Sequence, residues 1–156
     1  MNITNIKVDK MRYQKNASAY TLVLFSIALS IIALFQLINF DVFQVSIGAQ
    51  RVIPDIRIGI EILIGIVMML TMFLAAEKIK FYDRIWSTMG LFVLAGINFA
   101  RVFNIPIYAY DKGWIPANVM VTAMIEFAIS GALLVVAGII STRKVILLHH
   151  YMKEIK

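Results

Sequence analysis

The sequence predicts an all-α integral membrane protein, a four-helix bundle forming a single domain over residues 1–156. Three observations predict it. The 156 residues are 61% hydrophobic and 15% charged, with a mean hydropathy of +0.84, whereas ordinary soluble domains are about 45–50% apolar and about 25% charged. A soluble chain this small exposes much of its surface, and this one lacks the polar material to cover it. The apolar residues gather in four segments of roughly 20 residues, which at about 1.5 Å per residue cross a hydrocarbon core about 30 Å thick. Lysine and arginine collect at the ends of those segments, where membrane topology places them.

The first span, residues 20–40, carries no charge. It is longer than the 7–15 apolar residues of a secretory signal, so it reads as a permanent helix. The second, residues 58–76, holds one charge, Glu61. The third, residues 85–103, has Arg101 near its end, and the fourth, residues 117–140, has Glu126 inside it. Small residues recur four apart at Ser26 and Ser30, Gly96 and Ala100, and Ala128 and Ala132, with Gly131 and Gly138 nearby. Such spacing lets membrane helices approach closely and predicts a tight bundle.

The tail, residues 141–156, repeats Val145, Leu148, Met152 and Ile155 at three- and four-residue intervals. That stripe predicts a short cytoplasmic amphipathic helix, lying on the membrane surface or docking on a partner. His149 and His150 are neighbours and point about 100° apart on a helix, so they cannot clamp one metal.

Orientation follows from counting cations. Lys7, Lys10, Arg12, Lys15, Lys78, Lys80, Arg84, Arg143, Lys144, Lys153 and Lys156 fall on one side, against Arg51, Arg57, Arg101 and Lys112 toward the other. The positive-inside rule then places both termini in the cytoplasm, the N-in/C-in arrangement. Aromatic belts agree, with Tyr13, Tyr20, Tyr82 and Trp86 at the inner boundary and Tyr108, Tyr110 and Trp114 at the outer. The two halves also look loosely alike. Each outer loop closes on Ile-Pro (Ile53-Pro54 and Ile115-Pro116), and each following span holds one glutamate, as a pair of parallel repeats would.

Much chemistry is excluded. Without cysteine there is no thiolate nucleophile, Cys-ligated zinc or iron–sulfur cluster. No Walker loop, nucleophile elbow, zincin helix or EF-hand pattern occurs, and Ser130 has no histidine near it in sequence to act as base. The net charge of +6 serves topology rather than nucleic acid, because the cations flank apolar spans. The expectation is a non-enzyme with no cofactor and no metal.

What remains are polar residues inside the spans. Rise along each helix puts Gln36, Glu61, Asn98, Arg101 and Glu126 at heights of roughly 20–24 Å, one stratum of the outer leaflet. Arg57 stands four residues before Glu61, within side-chain reach on one helix face. A charge near a membrane helix centre costs about 2.5–3.5 kcal/mol even on insertion scales, so such groups pair with each other or face a cavity. Arg101 has either Glu61 or Glu126 at its height. One reading is an ion-paired girdle that sets helix register, with Arg57 and Arg101 also able to snorkel outward. The other is a pocket for a small charged ligand or a proton at Glu126.

The expected role is a non-catalytic auxiliary or assembly subunit of a larger membrane complex such as a transporter. The alternative is a small homo-oligomeric carrier or channel using the Glu/Arg layer. Its partners are the bilayer and other membrane subunits or itself. The Ile-, Lys- and Asn-rich usage points to the plasma membrane of an AT-rich prokaryote.

Overall fold

Four helices make up nearly all of the residues described by this computed structural model, which are 16–39, 56–80 and 85–154. They are α1 (Ala17–Asn39), α2 (Ile56–Lys80), α3 (Ile85–Asp111) and α4 (Ala117–Glu154), each long and apolar enough to cross a membrane. That is the pattern of a multi-pass membrane protein. Many of these residues are isoleucine and valine, which in water lean toward strands. In hydrocarbon every backbone N–H and C=O must be satisfied within the segment, and the helix does this. Tyr13, Tyr82, Ile53, Pro54, Ile155 and the cations Lys7, Lys10, Arg12, Lys15, Arg51, Arg84 and Lys156 lie outside the described residues, as do the side chains of Trp86 and Met152.

The helices run alternately up and down, each packed on the next, with α4 returning against α1. Side-chain bonds mark the register. Tyr20 on the first turn of α1 donates to Glu77 near the end of α2, at 3.0 Å. On α3 and α4, Thr88 meets Ser141 and, about three turns further along, Asn98 meets Ser130, as antiparallel neighbours require. One end of the bundle therefore carries Tyr20, Lys80 and Ser141, and the other carries Gln36, Glu61 and Pro116. These are called the Lys80 end and the Pro116 end below.

Two elements run further than their apolar lengths suggest. The third span was expected to stop near residue 103, but α3 continues through Pro106 to Asp111. Proline removes the N–H that would bond the carbonyl of Val102. The helix persists because Val102, Ile105 and Ala109 are buried against α1 and α4 in one apolar cluster. The tail was expected as a separate helix, yet α4 is uninterrupted from Ala117 to Glu154. No glycine or proline follows Gly138 in α4, so nothing stops the helix from propagating.

The turn between α3 and α4 closes tightly. Gly113, at a φ of 71°, ends α3 in the left-handed conformation that glycine adopts without a Cβ penalty. The N–H of Gly113 donates to the carbonyl of Tyr110 at 2.8 Å, and that of Trp114 to Ala109 at 3.0 Å. This pair of bonds is a Schellman cap. Pro116 then offers its carbonyl to Val119 and Met120, opening α4.

Packing divides into two clusters. Toward the Lys80 end, Val23, Met68, Met72, Ile79, Leu91 and Leu134 fill an apolar core. Toward the Pro116 end, Leu37, Val102, Ile105, Ile115 and Phe127 form another. Glycine matters where helices touch: a Cβ on Gly138 would lie 2.9 Å from the ring of Phe92, and one on Gly131 3.1 Å from Phe99. Gly96, by contrast, meets nothing within 4 Å, so its small-residue face looks outward. The outer surface is apolar, with Phe25, Leu63, Val93 and Phe103 more than half exposed.

Candidate functional site: a polar column in the bundle

Three of the polar residues expected at one height, Glu61, Asn98 and Arg101, join Ser26, Ser30 and Ser130 in a branched column, while Gln36 and Glu126 pair with each other apart from it. Arg101 on α3 is its centre. Its Nε donates to Oε1 of Glu61 on α2 at 2.6 Å. Nη2 lies 2.5 Å from the same oxygen, too side-on to give Nη2 a hydrogen bond of its own. Both side chains are about 95% buried.

Guanidinium has five N–H donors in a planar fork, and Arg101 uses more than the carboxylate. Nη1 donates to Oγ of Ser30 on α1 at 3.1 Å and to Oδ1 of Asn98, one turn below on α3, at 3.5 Å. The guanidinium carbon stands 4.3 Å from the ring centre of Phe127 on α4, a cation–π contact that strengthens when desolvated. All four helices thus touch one cation.

Below Arg101 the column passes to neutral groups. Nδ2 of Asn98 donates to Oγ of Ser130 at 2.9 Å. The hydroxyls of Ser130 and Ser26 are 2.8 Å apart, and each is also within 3.0 Å of the other residue's backbone carbonyl. Ser26 finally reaches Sδ of Met72 at 3.9 Å, where the apolar core begins. Each of these groups is buried. The column therefore ends inside the protein rather than passing through it.

Glu126 stands apart from Arg101. It accepts from Nε2 of Gln36 on α1 at 3.0 Å. Its other oxygen, Oε2, and the Oε1 of Gln36 are buried and have no hydrogen-bond partner. The physical reason is azimuth. Phe127, the next residue, points at Arg101, so Glu126 is turned about 100° away, to the seam between α4 and α1.

Arg57 has an aromatic partner on α3. Its guanidinium lies 4.6 Å from the ring centre of Tyr108, which has Lys112 at 5.7 Å and Trp114 edge-on at 5.6 Å. This aromatic–cation group sits at the Pro116 end.

Serines 26, 30 and 130 entered the sequence reading only as small residues or as a nucleophile without a base, yet they are the column's connectors. Their position on the faces of α1 and α4 that also bear Val23, Ala33, Phe127 and Leu134 was the available signal. In the tail, Val145 is buried and Leu148 half-buried, while Ile146 and Leu147 are more than half exposed. The outward apolar surface of those turns is therefore offset from the expected stripe. Among the described residues, no three His, Asp or Glu side chains come together to hold a metal.

No protein-family model, curated protein or solved structure matches this chain.

Proposed function

We propose that the chain is a non-catalytic auxiliary or assembly subunit of a larger membrane complex such as a transporter. One observation carries this reading. The strongest charge in the spans, Arg101, is committed to Glu61, Ser30, Asn98 and Phe127, so it holds four helices together and is not presented to a substrate. A cation so engaged supports a role in setting helix register. The reading places both termini in the cytoplasm and the spans in a prokaryotic plasma membrane, supported by the excess of lysine and arginine on one side.

Extraction in a mild detergent followed by native mass spectrometry tests it. The expected species contains this 17.6 kDa chain together with a different membrane subunit. Particles made only of this chain, as monomer or homo-oligomer, overturn it.

A second reading, a small carrier for a proton or charged solute, is favoured by Glu126, which has no cation beside it among the described residues. Flux of protons or solute through the purified chain in liposomes supports that reading and removes the first.

A further inference from the structure

Among the described residues, the charges inside the spans do not balance in space. Glu61 and Arg101 neutralise each other. Glu126 is left with an amide for company, and two acceptor oxygens, Oε2 of Glu126 and Oε1 of Gln36, are buried without a donor. Glu126 lies about 14 Å along α4 from Ala117, well inside the apolar length. A carboxylate there is costly unless paired, and a buried acceptor left without a donor is destabilising. Among the described residues, what the pair lacks is a cationic donor.

The surroundings say where that donor comes from. The outward side of the seam carries Phe25 and Ile32 on α1, eleven and four residues before Gln36, and Ile129 on α4, three after Glu126, all exposed. These spacings put them on the same helix faces as the polar pair, leaving an apolar strip for a further helix. A second copy is poorly suited as occupant. Among the described residues, the cation at this depth is Arg101, which is buried and paired, while Arg57 and Lys112 sit by Tyr108 near the Pro116 end.

We infer that the α1–α4 seam at Gln36 and Glu126 receives a membrane helix of a different subunit, one bearing a lysine or arginine at the depth of Glu126. A side-chain rotation at Glu126 turns Oε2 outward to meet that cation, and Gln36 supplies the second acceptor. This rests on the subunit reading above and adds the face and the chemistry of the partner.

A photoreactive benzoylphenylalanine placed at Ile129 in the full chain, irradiated in cells of the native host, tests it. The expected adduct joins residue 129 to a membrane span of another protein, with a lysine or arginine within one helical turn of the joined residue. Its yield falls at least about tenfold in Glu126→Gln, as loss of one member of a buried charge pair implies, and is kept in Glu126→Asp. Exchanging the charges, Glu126→Lys with the partner's cation changed to glutamate, restores it. An adduct to a second copy, to lipid alone, or to a span without a cation overturns the inference, as does a yield indifferent to Glu126→Gln. If the complex copurifies but residue 129 gives no adduct, the face is wrong and the subunit reading stands. If nothing copurifies and no adduct forms, both fall.

Discussion

The two ends of the bundle are held by different physics. Toward the Lys80 end the interior is hydrocarbon: Val23, Met68, Met72, Ile79, Leu91 and Leu134, with the Thr88–Ser141 contact at 3.4 Å among them. Toward the Pro116 end the interior is crossed by Arg101 and its partners. In a bilayer the apolar half gains nothing from leaving water, so it depends on close fit. The other half depends on compensating charge. The lesson is that the two ends should fail differently: one on a change of volume, the other on a change of charge.

The largest effect comes from stranding a charge. Arg101→Met leaves Glu61 buried and unpaired and should cost about 3–5 kcal/mol, whereas Arg101→Met combined with Glu61→Met should recover most of it. Unfolding titrations in mixed micelles measure both. If the double variant is no better than the single, the pair is more than self-compensating and the comparison breaks.

Volume comes next. Gly138→Val drives a side chain at Phe92, where even a Cβ would stand 2.9 Å from the ring, and should cost about 1–3 kcal/mol in the same titration. A smaller loss follows Ser130→Ala, which takes the acceptor from Asn98 and a partner from Ser26. Bonds of this kind between membrane helices average about 0.6 and reach about 1.7 kcal/mol. Should Ser130→Ala cost more than Gly138→Val, close fit is not what holds the apolar half.

The smallest effect is a control on an outward face. Gly96→Ala meets nothing and replaces a poor helix former by a good one, so thermal melting in detergent should show no loss and a gain of up to about 1 kcal/mol. A clear loss would mean that this face is covered when the protein is assembled.

Span number was legible because hydropathy depends only on position along the chain. Pairing was not, because it depends on azimuth. Height offered Arg101 two glutamates, and Glu61 is its partner only because Phe127 rather than Glu126 faces inward on α4. Arg57 lies over Tyr108, an aromatic partner that a count of opposite charges does not suggest. Serine was illegible for another reason: its small size and its hydroxyl are both useful in a helix interface, and Ser26, Ser30 and Ser130 serve by both. Helix ends were misjudged where apolar length was used as the rule. Pro106 is carried by buried neighbours, and α4 continues into polar sequence because nothing there terminates it.

The unbroken course of α4 has a mechanical consequence. From Glu126 to His150 it is a stiff rod about 36 Å long, without proline and with its last glycine at 138. Such a rod acts as a lever. A tilt of about 5° pivoting at Glu126 carries the far turns sideways by about 3 Å, roughly the length of a hydrogen bond. Motion imposed on the rod near the Pro116 end is therefore delivered, enlarged, to the turns bearing Ile146, Leu147 and the two histidines.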